Sequence, residues 1–259
     1  MIKKTIRYLK AHGLRKLIGQ TLLELKSHQQ LNIYGKIQSQ DFNTSDAEAS
    51  IMEGRKLLKL DIGCGQNKKK GFLGVDKVHF DEVDFVLDIT KEKLPLEDNV
   101  VDEVFSNHFF EHIDSPKEAL EELIRVSVHG AQFEIWTPYL KSNDAFLLGH
   151  RHFYNESIWQ HICILYPDFW LKDVEATLRL DRLCYILTSD IREELKKLGI
   201  PLSFALKHMF NIAREIGAFM TVLKGNGVKN IKYKEPEIYV SYSRADSFEK
   251  LPNGKKIIE

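Results

Sequence analysis

The first strong pattern in the chain is a short apolar run that ends in an acidic residue and two glycines. Residues 57–62 read LLKLDI, and Gly63-Cys64-Gly65 follows directly. Such a run, bounded by turn residues, is typical of a buried strand in a parallel sheet. Because glycine has no Cβ, the backbone can turn sharply here and a ligand can approach it closely. Open α/β sheets bind ligands at this end of their strands.

The pattern continues as strands alternating with helices. Apolar runs predict four more strands, at 72–76, 83–88, 100–107 and 132–137. Pro116 is placed for the first turn of a helix between the last two of them. The segment 66–71 is very short for a crossover helix. This alternation predicts an α/β fold with a mostly parallel sheet.

The C-terminal half gives less regular signals. Residues 155–166 predict a helix ended by Pro167, 173–187 contain strand-like runs, and 191–198 predict a charged helix. The apolar segment 201–224 is interpreted as a helix packed on the domain. Its alternative functions are a cover for a ligand pocket, a homodimer face or a surface for a lipid-like ligand. Alternation over 237–242 then predicts a last, antiparallel strand.

These patterns divide the chain into three parts. Residues 1–53 form an N-terminal extension of helices and linker, 54–246 form the main domain with a helical lid insertion around 188–230, and 247–259 form a flexible tail. Apolar and basic positions alternate at helical spacing over 1–26. We favour a helix packed on the domain there, with binding to a membrane surface or an acidic partner as the alternative.

Composition narrows the function classes. Lys plus Arg and Asp plus Glu both number 37, so the formal net charge is zero and argues against a dedicated nucleic-acid binder. The three cysteines, at 64, 163 and 184, show neither metal spacing nor a disulfide framework. We find no signal peptide and no run of about 18 apolar residues that would span a membrane. We therefore expect a cytoplasmic protein.

The glycine turn separates two ligand classes. A dinucleotide fingerprint needs a third glycine, where this chain has Lys68, and an acid about 20 residues later, whereas Asp76 comes sooner. The turn instead resembles the first motif of class I S-adenosylmethionine-dependent methyltransferases, D-x-G-x-G. Further segments resemble that family in order: LDIGCG at 60–65, GVD at 74–76, DIT at 88–90, LPLEDNVVDEV at 94–104, SNHFFEHI at 106–113 and TPY at 137–139.

The resemblance implies a Rossmann-like methyltransferase sheet that binds S-adenosylmethionine and releases S-adenosylhomocysteine. It implies that Asp76 accepts hydrogen bonds from the ribose hydroxyls. It places Asp88 at the adenine amino group and Ile89 beside the ring. It also implies that further residues line the methionine and sulfonium ends of the cofactor: Asp61, Gly63, Cys64, Gly65 and Asn107.

Three histidines are candidates to remove the acceptor's proton. His108 follows the fourth strand, and His150 and His152 lie in the string GHRHFY, which recurs in relatives of this methyltransferase type. A histidine has an ordinary pKa near ~6.5, which suits general base catalysis. His108 and His152 are the preferred candidates, and His150 is expected to orient the acceptor or the loop. The side chains of Glu111 and His112 are expected to point elsewhere.

Several alternatives stay open. No metal is expected, although Asp144, His150, His152 and His108 are an alternative ligand set for a divalent ion, which no spacing specifies. The leading function is methyl transfer to a hydroxyl or amine of a small molecule, such as a natural product or a sugar-like acceptor. The alternatives are methylation of a peptide or protein side chain, and a non-catalytic partner subunit that binds the cofactor. A homodimer is compatible with the sequence.

Overall fold

A single nine-stranded sheet organises the protein in the computed structural model, which describes residues 57–171, 173–225, 228 and 234–251. The strand order is β3-β2-β1-β4-β5-β7-β6-β8-β9. The strands are β1 Leu58–Ile62, β2 Leu73–Asp76, β3 Phe85–Val86, β4 Val101–Asn107, β5 Ser127–Pro138, β6 Ala176–Leu187, β7 Ala213–Lys224, β8 Glu237–Ser241 and β9 Glu249–Lys250. The helices predicted within residues 1–53 lie outside the described part of the chain.

The first five strands run parallel, as the sequence predicted. β1 pairs with β2 and β4, β2 with β3, and β4 with β5, all in parallel register. Their carboxyl ends therefore meet at one edge of the sheet. β7 lies between β5 and β6 and is antiparallel to both. The result is the Rossmann-like sheet of the predicted fold class, with a reversed strand among parallel ones.

Short connections join the first strands. Residues 63–72 link β1 to β2 through turns, without a helix, as their length suggested. Helix α1, Pro116–Val126, connects β4 to β5 and has the predicted Pro in its first turn. Leu120, Leu123 and Ile124 of α1 are fully buried in the core. At ~25 cal/mol per Å² of apolar surface, such side chains each stabilise the fold by ~1.5–3 kcal/mol.

The segment 201–224 is the main correction to the predicted fold. It contains helix α5, Leu202–His208, and then strand β7, rather than one helix. β7 is paired on both edges and buried on most of its length, so its side chains show no alternation of apolar and polar positions. A mainly apolar run without alternation does not distinguish a buried strand from a buried helix. The predicted helical insertion is reduced to α4, Ile191–Lys197, and α5.

Other boundaries also differ. The predicted helix 155–166 is α2, Glu156–Gln160, followed by a π-helical turn at His161–Leu165. Pro167 begins helix α3, Pro167–Trp170, instead of only ending its predecessor, because proline is tolerated in a first helical turn. β8 pairs parallel with β6, so the prediction of an antiparallel strand there was wrong. β9 lies within the predicted tail.

The helices of the described residues are too short or too polar to cross a membrane. A 3₁₀ turn at Asn143–Phe146 precedes the loop with the GHRHFY string.

Candidate functional site

A cavity opens at the carboxyl ends of β1 to β4. Its walls come from the end of β1, the end of β2, the turn after β3, the segment after β4 and the loop after β5. The lining residues are Ile62, Val75, Asp76, Lys77, Leu87, Asp88, Ile89, Thr90, Phe109, His112, Ile113, Asp114 and Arg151. Asp76, Asp88 and Ile89, three of the predicted site residues, therefore all line this one cavity.

Asp76 ends β2 and is fixed by backbone donors. Its Oδ2 accepts from the Gly65 N–H at 3.0 Å, and its Oδ1 accepts from the Val78 N–H at 2.8 Å. The carboxylate thereby joins the glycine turn after β1 to the turn after β2. Each oxygen keeps a second acceptor position, because a carboxylate offers about four lone-pair directions in all.

Asp88 follows β3 and is held as a charged acceptor. Hydrogen bonds from Lys91 and Thr90 lower the pKa of its carboxyl to about 2. The Thr90 N–H and hydroxyl both donate to Oδ1, at 3.1 and 2.6 Å, while Lys91 Nζ donates to Oδ2 at 2.7 Å. Oδ1 is therefore saturated and Oδ2 retains one acceptor position. Ile89, next in sequence, is buried.

The glycine turn is shaped by an aromatic ring. Gly63 has a φ of +70°, and a Cβ built on it would lie 2.3 Å from Cδ2 of Phe109. The turn and Phe109, which lines the cavity, therefore fit together only without a side chain at position 63. Gly65 has a φ of +52°, but a Cβ there would meet nothing within 4 Å. Glycine is therefore required at position 63 by the close approach of Phe109, and at position 65 only by the backbone conformation.

Asp61 and Cys64 support this turn from beneath. Asp61 is buried, and its Oδ2 accepts from the Lys69 N–H at 2.7 Å, which ties the start of the turn to its end. Burial raises the pKa of the Asp61 carboxyl, against the effect of that hydrogen bond. Burial also raises the pKa of the Cys64 thiol to about 12, with a smaller contribution from the charges of Asp61 and Asp76.

At the end of β4, Asn107 is exposed and His108 begins a charged network. His108 has a φ of 51°, and its Nδ1 lies 3.1 Å from Oε1 of Glu111. Its Nε2 lies 3.8 Å from Oε1 of Glu215, at the start of β7. Burial alone would lower the pKa of His108, but its bonds to Glu111 and Glu215 outweigh burial and raise it to about 9. His108 is therefore a cation at neutral pH.

Three residues of this network were not predicted from the sequence. Glu215 accepts from Arg244 Nε at 2.8 Å, and burial of Glu215 is outweighed by His108 and Arg244, which lower its pKa to about 2. Glu111 was expected to point elsewhere, yet it faces His108. Its spacing from His108, three residues within one turn, was the available signal. No sequence signal links Glu215 or Arg244 to His108, since both come from distant elements.

The loop after β5 packs on Glu111. The Arg151 and His152 N–H groups both donate to the Glu111 carbonyl, at 2.7 and 3.3 Å. His150 Nδ1 lies 3.0 Å from the Ala145 carbonyl oxygen. The structure thus brings the predicted loop histidines beside the segment that follows His108.

Part of the chain is similar to known proteins. The model of a family described as "Methyltransferase domain" matches residues 60–135, which contain β2 to β4 and most of β1 and β5. No curated protein matches this chain. Among solved structures, a SAM dependent methyltransferase from Archaeoglobus fulgidus is 18% identical over 67% of this chain and 90% of its own, with a TM-score of 0.42.

Two other solved structures illustrate the range of these similarities. An S-adenosylmethionine dependent methyltransferase from Mesorhizobium loti is 11% identical over 67% of this chain and 94% of its own, with a TM-score of 0.38. Phosphoethanolamine N-methyltransferase 1 from Haemonchus contortus, in complex with phosphoethanolamine and S-adenosylhomocysteine, is 11% identical over 72% of this chain and 43% of its own, with a TM-score of 0.42.

Proposed function

We propose that this chain, a class I S-adenosylmethionine-dependent methyltransferase, transfers the methyl group to a hydroxyl or amine of a small molecule. The enzyme class rests on the family match over residues 60–135. The observation that carries the assignment of the site is the convergence of Asp76 and Asp88, from two adjacent strand ends, on one cavity. The acceptor class and the roles of individual residues are the proposal.

The described residues fit the cofactor at its ribose and adenine ends. Asp76 keeps one acceptor position on each oxygen after its two backbone hydrogen bonds, which suits a pair of neighbouring hydroxyls. Asp88 keeps one acceptor position on Oδ2, which suits a single amino group. Ile62, Ile89 and Phe109 give the same cavity an apolar wall for an aromatic base.

The methionine end would lie against the backbone of the glycine turn. Gly63 and Gly65 both have positive φ, so their peptide groups present an orientation that other residues rarely supply. Asp61 is committed to the Lys69 N–H, so we assign it to holding the turn, with the cofactor's ammonium group as a further partner. Cys64 and Asn107 complete the proposed contacts at this end.

When bound, the cofactor supplies a methyl group already activated on a positively charged sulfur. What the protein must add is alignment, exclusion of water and a destination for the acceptor's proton. Alignment alone can supply up to ~7–11 kcal/mol in favourable cases. A hydroxyl acceptor also needs a general base, whereas an amine needs only to be neutral when it attacks.

The contacts of His108 with Glu111 and Glu215 change the roles that we assign to the three histidines. His108 faces a carboxylate at each ring nitrogen and carries a proton at neutral pH. It therefore donates a hydrogen bond to Glu111 and cannot take a proton from the acceptor at that pH. We assign proton removal to His152, and to His108 only as the pH approaches about 9. His150, tied to the Ala145 carbonyl, is assigned a positioning role.

Calorimetric titration with S-adenosylmethionine and S-adenosylhomocysteine tests the site. We expect both ligands to bind the wild-type protein and Asp76→Ala to lose at least ~10-fold in affinity, because charge-assisted hydrogen bonds are worth ~1.5–3 kcal/mol. Asp81→Ala is the matched control, since Asp81 is an exposed acid on the next connection. Unchanged affinity in Asp76→Ala would refute the ribose assignment.

The acceptor class needs a separate measurement. Release of S-adenosylhomocysteine is followed over a panel of small alcohols, sugars and amines, with a panel of peptides in parallel. Turnover with small molecules alone supports the proposal. Turnover with peptides alone contradicts it, and cofactor binding without turnover on either panel indicates a non-catalytic subunit.

A further inference from the structure

We propose that Glu111, His112 and His150 form a site for a divalent transition-metal ion beside the cofactor cavity. One ligating atom from each side chain lies within 4.8 Å of the others. Glu111 and His112 come from the segment after β4, and His150 comes from the loop after β5. The proposed site goes beyond methyl transfer and does not depend on the identity of the acceptor.

Both histidines are oriented for ligation. Nδ1 of His150 lies 3.0 Å from the Ala145 carbonyl oxygen, and Nδ1 of His112 lies 3.3 Å from the Gly149 carbonyl oxygen. A carbonyl only accepts, so in the neutral imidazoles the proton sits on Nδ1 in both rings. Each Nε2 then carries a free lone pair. Metal-binding histidines usually have their other nitrogen fixed in this way.

Glu111 supplies a buried and incompletely satisfied carboxylate. Its side chain is 1% exposed, and its Oε2 has no hydrogen-bond partner among the described residues. Its Oε1 is 3.1 Å from His108 Nδ1 and 4.0 Å from His112 Nε2. An unpaired oxygen on a buried carboxylate is costly, and ion binding would remove that cost.

The ligand set selects the kind of ion. Two imidazole nitrogens and one carboxylate oxygen suit zinc and its neighbours in the first transition series, whereas magnesium and calcium prefer oxygen ligands alone. Ligands at ~2.1 Å from a tetrahedral zinc lie about 3.4 Å from one another. The three ligand atoms, now within 4.8 Å of one another, would therefore draw together by up to about 1.4 Å on binding. Three protein ligands leave a fourth position open.

The ion would tie together two walls of the cofactor cavity. His112 and Arg151 line that cavity, and His150 precedes Arg151 directly. Backbone hydrogen bonds from Arg151 and His152 to Glu111 already join the same two segments. A metal bridge at Glu111, His112 and His150 would add side-chain bonds to this contact and fix the loop over the cavity.

The experiment uses the full chain after removal of metals with a chelator. Titration with Co²⁺, followed by its visible absorption bands, and competition with Zn²⁺ report stoichiometry and geometry. We expect one ion per chain, and at least ~10- to 100-fold weaker binding in Glu111→Gln, His112→Gln and His150→Gln, because even outer partners of metal ligands contribute that much. His79→Gln, an exposed histidine after β2, is the matched control and should bind as the wild type does.

A second readout needs no substitution. Binding of Zn²⁺ through Nε2 should shift the nitrogen resonances of two histidines in ¹⁵N-edited spectra of the wild-type protein, with Nδ1 still protonated. Zn²⁺ binding that is unaffected by all three substitutions, or a wild-type protein that binds no Zn²⁺ at micromolar concentration, would overturn the proposal. Equal binding of Mg²⁺ and Zn²⁺ would also contradict the ligand assignment.

Discussion

The carboxylates after β2 and β3 and the histidines after β4 and β5 occupy the same edge of the sheet, but different interactions hold them. Asp76 and Asp88 take their hydrogen bonds from nearby turns, chiefly from backbone N–H groups and Thr90. His108 is held by Glu111 and by Glu215, which belongs to β7. The acidic part is built from local sequence, whereas the histidine part depends on the assembled sheet.

We therefore expect the two acids to act in cofactor binding and the histidines to act in the chemical step. Hydrogen bonds from nearby turns hold both acids in place, as the proposed site for the cofactor requires. His108 lies between two carboxylates that raise its pKa to about 9, so its charge changes with pH. Substitutions of the acids should therefore change cofactor affinity, whereas substitutions of the histidines should change the rate.

The largest expected effect lies in the histidine part and concerns rate. With a hydroxyl acceptor, His152→Ala should lower kcat by ~10²–10⁴-fold, the usual contribution of a general base, while cofactor affinity stays within ~2-fold. Steady-state kinetics and calorimetry test the two quantities. His129→Gln, on β5 away from the cavity, is the control. If His152→Ala and His108→Ala both keep near-normal rates, an amine acceptor is the better interpretation.

The pH profile distinguishes the two candidate bases. If His108 were the base, the rate would rise with pH until about 9, because its proton must first leave. A plateau reached below pH 8 in the wild-type protein would exclude His108 and favour His152.

The next largest effect concerns the glycine turn. Gly63→Ala should destabilise the protein by ~2–5 kcal/mol, because left-handed backbone costs an L-residue ~1–2 kcal/mol and forced packing ~1–3 kcal/mol. Gly65→Ala is the matched control, because it shares the positive φ without the contact to Phe109. Denaturant unfolding measures both. Equal losses in the two variants would contradict the close approach of Phe109.

A smaller effect is expected at Glu215. The raised pKa of His108 means that its ion pairs stabilise the fold fully below its ordinary pKa of ~6.5 and are lost as pH rises through about 9. Glu215→Gln should reduce this dependence and lower the pKa of His108. Since about a third of the His108 side chain is exposed, solvent screening limits the change in unfolding free energy to ~1 kcal/mol.

Unfolding at pH 6.5 and pH 9.5, with ¹H NMR titration of the histidines, measures both quantities at Glu215. Glu237→Gln, at the start of β8, serves as the control. An unchanged His108 pKa in Glu215→Gln would show that Glu111 alone sets it.

The parts of the site built from local sequence were also the parts that could be predicted from the sequence. β1, β2 and β4 and the acids after β2 and β3 were predictable, because each is encoded by a short run followed by a turn. β7 was not, since a strand buried on both faces has no alternating pattern. Because β7 was predicted as a helix, the position of Glu215 beside the end of β4 could not be predicted. Its ion pair with His108 could not be predicted either.

The smallest effect is expected at Cys64, which lies in the acidic part despite its reactive group. Burial holds the pKa of its thiol at about 12, so at neutral pH the thiolate that would act as a nucleophile is scarcely populated. A Cβ built on Gly74 would lie 2.7 Å from Cys64 Sγ, which shows how closely the sulfur fills this turn. Cys64→Ala should therefore cost ~1 kcal/mol of stability through the lost packing and leave kcat within ~3-fold of wild type.

Kinetics, cofactor titration and the rate of alkylation by iodoacetamide test the role of Cys64 together. Slow alkylation of the native protein and near-normal turnover in Cys64→Ala are the expected results, because a buried neutral thiol reacts slowly and has no step to perform. Cys163→Ala provides the comparison, since Cys163 is fully buried in the core away from the glycine turn. Loss of turnover in Cys64→Ala with cofactor affinity intact would mean that the turn after β1 takes part in the chemistry. The separation between a binding part and a reactive part would then fail at this residue.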